Sequence, residues 1–221
     1  MTRIKICGIT RLEDALAASI AGADALGFNF SRSSPRSIAP ESAREIVSKL
    51  PPFVMSAGVF VEHTPEEVNE ICRFCGLQVA QLHSDDYTPD QALGVTSARV
   101  IRVYRPKPGF RIGEVREFSR LTGCNAFLFD AYSPTMTGGT GQTIEASTAG
   151  ELFDGTREFA WSLLAGGLRP DNVGQAVRMV RPWGVDTASG VESSPGVKDH
   201  ALLTAFVEAV READRTIRNC S

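Results

Sequence analysis

The stretch AWSLLAGGL, residues 160–168, joins a buried apolar strand to a glycine turn. A second stretch, WGVDTASGVE at residues 183–192, repeats this arrangement after an amphipathic helix that begins near Pro170. Such turns can present several backbone N–H groups to one anion, and in (β/α)₈ barrels a phosphate site commonly follows strands seven and eight. If six strand and helix units come first, the two turns predict a phosphate cradle. Its candidate residues are Gly166, Gly167, Ser189 and Gly190.

The preceding chain does alternate between strand and helix patterns. Strands are predicted at residues 3–7, 24–30, 53–60, 77–83, 99–104 and 126–130, before the two strands at 160–165 and 183–186. Strands that alternate with helices require a parallel sheet, and eight such units in 221 residues favour a closed barrel. We therefore expect an α/β protein with one (β/α)₈ barrel domain over residues 1–221. A doubly wound open sheet is the structural alternative.

Two helix starts carry capping signals, and the chain is expected to close with one long helix. Thr10 has Glu13 three residues later, which is the spacing of a capping box. Thr64 is followed by Pro65 and two carboxylates, which is a second N-cap pattern. The closing helix is predicted over residues 195–217.

Composition narrows the class of protein. Hydrophobic residues make up 43% and charged residues 22%, and the net charge of −3 offers no basic field for nucleic acid. No apolar run approaches the ~18 residues of a membrane span, and no signal segment is apparent. Five scattered cysteines argue against a disulfide framework. We expect a cytoplasmic protein with neither nucleic acid nor membrane as partner.

Active groups of a barrel lie where the strands end, so the last residues of the predicted strands are candidates. Cys7 and Lys5 point to the same face by strand alternation, and Asp186 ends the strand that would close onto theirs. Lys5 is therefore expected to pair with Asp186 and to lower the pKa of the Cys7 thiol. Asp130 ends a buried strand, where an unpaired carboxylate is costly unless it faces a site. The alternatives are a small buried residue for Cys7 and a loop hydrogen-bond acceptor for Asp130.

Two other patterns carry less weight. Cys72 and Cys75 have a metal or redox spacing, but no second pair completes a set of four ligands, so core and surface cysteines are the favoured interpretation. The glycines of residues 138–141 predict either a flexible lid after strand six or a loop that needs positive φ. No metal site is expected.

Six motifs in chain order resemble the phosphoribosylanthranilate isomerase family of tryptophan biosynthesis. They are KICGIT (5–10), SPR (34–36), QLH (81–83), GGTGQ (138–142), LAGGL (164–168) and SGVE (189–192). The resemblance spans nearly the whole chain. Ser37 and Ser84 depart from the family pattern, as does the stretch after Thr143, which lacks the usual aromatic residue.

The resemblance implies a cofactor-free Amadori rearrangement of N-(5-phosphoribosyl)anthranilate to 1-(2-carboxyphenylamino)-1-deoxyribulose 5-phosphate, an intramolecular oxidoreduction. It assigns Cys7 as general base and Asp130 as general acid. It also implies that Arg36 engages the anthranilate, that His83 and Asp186 contact the substrate, and that the glycine turns hold its phosphate. The partner is then a small phosphorylated molecule, and the enzyme is a monomer or a homodimer.

Two alternatives stay open. A related barrel isomerase of histidine biosynthesis performs the same rearrangement, but that family has an aspartate where this chain has Cys7. A non-catalytic phosphate-binding barrel would keep the glycine turns without needing Cys7 or Asp130.

Overall fold

Eight parallel strands pair in chain order and close into a barrel in the computed structural model, which describes residues 1–107, 109–130 and 146–219. The strands are β1 Arg3–Ile6, β2 Ala25–Asn29, β3 Met55–Phe60, β4 Val79–Leu82, β5 Arg99–Tyr104, β6 Ala126–Asp130, β7 Trp161–Ala165 and β8 Gly184–Thr187. The predicted barrel is confirmed, and the open-sheet alternative is wrong.

A helix follows each strand. The helices are α1 Leu12–Ala21, α2 Pro40–Val47, α3 Pro65–Cys75, α4 Pro89–Gly94, α5 Ile112–Thr122, α6 Ala146–Thr156, α7 Pro170–Val180 and α8 His200–Asn219. Between β8 and α8 lie a 3₁₀ turn, Ser189–Val191, and a small antiparallel pair, β9 Glu192–Ser194 and β10 Val197–Lys198. No described helix is long and apolar enough to cross a membrane.

Strand alternation separates an outer core from the barrel interior. Phe127 and Phe129 of β6 belong to the large apolar cluster that also contains residues of the helices, such as Phe206 of α8. Leu128 belongs to a small separate cluster with residues of β5 and β7. Because successive side chains of a strand point to opposite faces, Asp130 shares the inner face with Leu128.

The same alternation orients the strands where the barrel closes. Ile4 and Ile6 of β1 are buried in the outer cluster, so Lys5 faces the interior. β1 pairs in parallel with β8, with Lys5 opposite Asp186. The closing step of the barrel therefore brings these two charged residues side by side.

The cap predicted at Thr10 is wrong, whereas the one at Thr64 is confirmed. α1 begins after Arg11, which makes no side-chain capping bond, and the Thr10 hydroxyl donates to the Gly196 carbonyl at 2.5 Å. Thr64 accepts from the Glu67 backbone N–H, and Glu67 accepts from the Thr64 N–H at 2.8 Å, which completes a capping box. The Thr10 hydroxyl therefore binds a residue distant in sequence and does not cap α1.

The closing helix also starts later than predicted. α8 begins at His200 because the preceding residues form the hairpin of β9 and β10, and Gly196 in its turn has φ +81°. A left-handed backbone conformation at this position favours glycine. It also cannot continue a right-handed helix. The hairpin places Glu192 and Lys198 near the carboxyl ends of the strands.

Asp214 of α8 fixes the start of the chain to the last helix. Its carboxylate accepts two hydrogen bonds from the Thr2 backbone N–H, at 2.9 and 3.1 Å, and one from the Thr2 hydroxyl at 2.7 Å. All three hydrogen bonds are buried. They hold the residue that leads into β1.

Asp214→Ala should therefore lower the free energy of unfolding by about 1–3 kcal/mol, because the buried Thr2 donors lose their acceptor. Urea unfolding followed by circular dichroism measures this change. Glu208→Ala, at an exposed position of the same helix, is the matched control and should stay within about 0.5 kcal/mol of wild type. Equal stability of the two variants would contradict the role given to Asp214.

Candidate active site

A buried ammonium, a carboxylate and a thiol meet at the carboxyl end of β1. The Lys5 Nζ lies 2.8 Å from the Asp186 Oδ1, with side-chain exposures of only 3% and 9%. Cys7 follows β1 and is half-buried. A Cβ atom placed on Gly27 of β2 would lie 2.8 Å from the Cys7 Sγ and 3.0 Å from the Lys5 Nζ. Glycine at position 27 therefore leaves the space in which the thiol and the ammonium sit together.

Burial and the neighbouring charges raise the pKa values of Lys5, Asp186 and Cys7. Burial alone would lower the pKa of Lys5, but the charge of Asp186, followed by that of Cys7, outweighs it and raises this pKa. Burial raises the pKa of Asp186 against the opposing charge of Lys5. Burial also raises the pKa of Cys7, and Lys5 offsets only part of that increase. The predicted Lys5–Asp186 pairing is confirmed, but the expectation of a lowered thiol pKa is wrong.

Asp130 and His83 form the second reactive group of the site. The Asp130 Oδ2 lies 3.8 Å from the Arg105 Nε and 4.0 Å from the His83 Nε2. Burial raises the pKa of Asp130, although Arg105 opposes the shift. Burial and the charges of Arg105 and Lys5 lower the pKa of His83 to about 4, so its imidazole is neutral at neutral pH. The environment favours the protonated carboxyl of Asp130 more than water does, which suits a proton donor.

Arg36 is held in place by a carboxylate that sequence reasoning did not assign. Its Nε and Nη2 donate to both oxygens of Glu192 at distances from 2.7 to 3.1 Å. Its side chain packs on Gly8, where an added Cβ would lie 2.5 Å from the Arg36 Cδ and where φ is +75°. The Arg36 Nη1 has no hydrogen-bond partner among the described residues, so one edge of the guanidinium is free to bind an anion.

The glycine turns after β7 and β8 are in direct contact with each other. Gly166 and Gly167 after β7 have φ of +99° and +62°, in the left-handed region. A Cβ on Gly190 would overlap the Leu168 carbonyl oxygen, so the 3₁₀ turn packs directly against the turn after β7. The Thr187 hydroxyl donates to that same carbonyl at 2.7 Å. The geometry places Gly166, Gly167, Ser189 and Gly190 on one side of the carboxyl end, at neighbouring strands.

A buried arginine that sequence reasoning missed supports the loop after His83. Arg102 of β5 is 4% exposed and donates to the carbonyl oxygens of Leu82, Ser84, Asp85 and Val103. Its guanidinium also stacks over the rings of Tyr104 and Phe118. An arginine inside a strand pattern gives no sequence signal for such contacts, because three of the four acceptors are backbone atoms of β4 and of the loop after it.

Other predicted features lie away from this site or outside the described residues. Cys72 and Cys75 are buried, and burial raises their pKa values to about 12 and about 11, as expected of core cysteines. In the described part of the chain, no cluster of His, Cys, Asp and Glu has the arrangement of a metal site. The glycines of residues 138–141, the departure after Thr143 and Cys220 lie outside the described residues.

Comparison with known proteins identifies the family. The family model described as N-(5'phosphoribosyl)anthranilate (PRA) isomerase matches residues 4–209. The chain belongs to the PRA isomerase family. The resemblance inferred from the six sequence motifs is thereby confirmed.

Relatives in this family match the chain along its length. The N-(5'-phosphoribosyl)anthranilate isomerase of Chlorobaculum tepidum is 66% identical over 220 residues, which covers 100% of both chains. The solved phosphoribosyl anthranilate isomerase of Thermotoga maritima has a TM-score of 0.82 at 37% identity and covers 96% of this chain and 100% of its own.

Two further solved structures of the family bear on ligands and assembly. One is a phosphoribosyl anthranilate isomerase in complex with reduced 1-(o-carboxyphenylamino)-1-deoxyribulose 5-phosphate, with a TM-score of 0.80, 35% identity and coverages of 96% and 100%. The other is described as monomers generated from the dimeric Thermotoga maritima enzyme, with a TM-score of 0.78, 32% identity and coverages of 96% and 99%.

The raised thiol pKa leads to a measurable prediction for this member of the family. Iodoacetamide consumes thiolate, so its rate at Cys7 should rise with a midpoint above the ordinary value of about 8.5. Lys5→Met should move the midpoint further up, because the charge that favours the thiolate is removed. Peptide mass spectrometry separates Cys7 from the other cysteines. Lys49→Met, at an exposed lysine, should leave the midpoint unchanged, and a wild-type midpoint below 8.5 would rule out burial as the dominant effect.

Proposed function

We propose that the chain isomerises N-(5-phosphoribosyl)anthranilate to 1-(2-carboxyphenylamino)-1-deoxyribulose 5-phosphate in tryptophan biosynthesis, with Cys7 as general base and Asp130 as general acid. The observation that carries the assignment is the pairing, at one end of the barrel, of a thiol beside a fixed ammonium with a carboxyl whose pKa is raised by burial. Family membership and the name of the Chlorobaculum tepidum relative support the reaction.

The acid acts first. Opening the ribose ring requires a proton on the ring oxygen as its bond to C1 breaks, and the nitrogen lone pair then forms an iminium ion. Asp130 supplies that proton, because burial holds its pKa above the ordinary value and so increases the protonated fraction. The neutral imidazole of His83 adds no positive charge beside the carboxyl.

The base acts on the iminium. Cys7 as thiolate takes the proton from C2, and the electron pair of that C–H bond forms the C1–C2 double bond while the iminium nitrogen regains its lone pair. The enol then becomes the ketone of the product as C1 gains a proton. The iminium is positively charged next to Cys7, and that charge, together with Lys5, favours the thiolate at the step that needs it.

Substrate binding uses the remaining groups. The phosphate binds the backbone N–H groups of the turns at Gly166, Gly167, Ser189 and Gly190, and the free edge of Arg36 receives the anthranilate carboxylate. Asp186 binds Lys5 through Oδ1. Its Oδ2 has no hydrogen-bond partner among the described residues and can accept from a ribose hydroxyl. His83 contacts the substrate next to Asp130.

We further propose one domain over residues 1–221, located in the cytoplasm and assembled as a homodimer rather than a monomer. The described cysteines are free thiols, which supports a reducing compartment. Phe53 is 96% exposed, and Phe53, Trp161 and Trp183 all line a cavity of about 870 Å³ at the amino ends of the strands. A second copy would cover this apolar surface, and the Thermotoga maritima relative is described as dimeric. Sedimentation velocity distinguishes the two states.

Complementation tests the reaction. The wild-type chain should restore growth of a tryptophan auxotroph that lacks this isomerase, and should not restore a histidine auxotroph lacking the related barrel isomerase. Growth of only the histidine auxotroph would favour the histidine-pathway alternative, and growth of neither would favour a non-catalytic phosphate-binding barrel.

Kinetics of Cys7→Ala and Asp130→Asn test the roles. Each variant should lose roughly 10²–10⁴-fold in kcat, the usual contribution of one general acid or base, with a smaller change in KM. The decrease in substrate fluorescence measures both constants. Lys49→Met is the control and should match wild type, because Lys49 is a surface residue paired with Glu45. Near wild-type kcat in either variant would remove that residue from its role.

A further inference from the structure

Lys198 is a fully buried lysine whose ammonium joins three parts of the site. Its Nζ lies 2.6 Å from the Cys7 carbonyl oxygen, 3.1 Å from the Ala188 carbonyl oxygen and 2.8 Å from the Glu192 Oε1. Its side chain has 0% exposure. An ammonium has three N–H donors, so these three acceptors match the charged form. Burial lowers the pKa of Lys198, and the hydrogen bond and charge of Glu192 oppose that shift.

The main chain of Lys198 is fixed as firmly as its side chain. Its backbone N–H donates to the Asp14 Oδ2 at 3.0 Å, and Asp14 is itself buried in α1. The other Asp14 oxygen lies 2.9 Å from the His200 Nε2. The ammonium is therefore held at a constant position between the base and the 3₁₀ turn.

Glu192 is shared between two cations. It accepts from Arg36 on one side and from Lys198 on the other, and its side chain is 4% exposed. Burial would raise the pKa of Glu192, but the hydrogen bonds from Arg36 and Lys198 outweigh it and lower this pKa. The carboxylate is thus ionised, and the three groups together carry one net positive charge.

That net charge matters for a ligand carboxylate. Arg36 and Glu192 alone would form a neutral pair, and an anion approaching the free edge of Arg36 would also be repelled by Glu192. With Lys198 in place, the charge of Glu192 is balanced by the Lys198 ammonium. The charge of Arg36 then remains available to bind a ligand carboxylate. The effect of Lys198 on Glu192 is strong because both side chains are shielded from water.

We propose that Lys198 is a positioning residue for the isomerisation: it neutralises Glu192, so that Arg36 keeps its charge for the substrate carboxylate, and it anchors the Cys7 backbone beside the phosphate turn. The inference rests on the proposed function, since it needs a substrate with a carboxylate. A purely structural ion pair would instead affect all ligands alike.

The test uses Lys198→Met, Glu192→Gln and the double variant, with Lys49→Met as control. Two probes are compared by calorimetry: reduced 1-(o-carboxyphenylamino)-1-deoxyribulose 5-phosphate and the same compound without the carboxylate. Lys198→Met should weaken binding of the first roughly tenfold or more and change the second far less, because Glu192 is then no longer balanced. Lys49→Met should leave both affinities unchanged.

The double variant separates the two parts of the role. Removing the charge of Glu192 restores the net positive charge, so the double variant should regain most of the lost affinity for the carboxylate probe. Lys198→Met should also lower kcat, because the Cys7 backbone loses the hydrogen bond from the ammonium. The kcat of the double variant should stay equally low, because that hydrogen bond is still missing. If Lys198→Met binds both probes as wild type does, or if the double variant regains no affinity, the proposal is overturned.

Glu192→Gln keeps the proposal testable if the Lys198→Met protein does not fold. It removes the negative charge beside Arg36, while the amide oxygen of glutamine can still accept a hydrogen bond from Arg36. Relative to the other probe, it should therefore bind the carboxylate probe at least as tightly as wild type, and selective weakening of the carboxylate probe would overturn the proposal. A wild-type chain that folds but neither turns over N-(5-phosphoribosyl)anthranilate nor binds the carboxylate probe would instead refute the proposed function.

Discussion

The buried ion pair of Lys5 and Asp186 is the contact on which closure of the barrel and the chemistry of the site both depend. It joins the first and last strands at the register where they meet. Two charges inside a barrel are costly unless each has its partner, and loss of one partner of such a pair costs about 3–5 kcal/mol. Among the neighbouring charges, that of the same ammonium has the largest effect in favour of a Cys7 thiolate. Lys5 therefore helps to close the barrel and also favours the thiolate of Cys7, which we propose as the base.

The other charged groups of the site also lie next to titratable partners. Arg36 is clamped by Glu192, Glu192 is balanced by Lys198, and Asp130 is flanked by Arg105 and a neutral His83. The proposed substrate is anionic at both ends, with a phosphate and a carboxylate. We propose that backbone N–H groups bind the phosphate, which leaves the guanidinium of Arg36 for the carboxylate. Lys5, Arg36 and Lys198 thus have separate proposed tasks.

Local sequence patterns were sufficient for much of this architecture. Alternation in Ile4-Lys5-Ile6 and in Phe127-Leu128-Phe129 predicts which side chains face the interior, and a polar residue there signals a partner or a site. The pairing of Lys5 with Asp186 could be predicted because β1 and β8 must pair when the barrel closes. The contacts of Thr10, Arg102 and Lys198 were not predictable, because their acceptors are backbone carbonyls and carboxylates distant in the chain. The pKa of Cys7 was predicted in the wrong direction because burial, which outweighs the effect of Lys5, is not visible in a sequence.

The most direct test of the central claim is a crystal structure of this chain with reduced 1-(o-carboxyphenylamino)-1-deoxyribulose 5-phosphate. We expect the Cys7 sulfur within about 4 Å of C2. Asp130 should lie within hydrogen-bond distance of the hydroxyl derived from the ring oxygen, with the phosphate on the two glycine turns and the carboxylate on Arg36. A ligand bound with C2 facing away from Cys7, or with its carboxylate at the glycine turns, would contradict these roles.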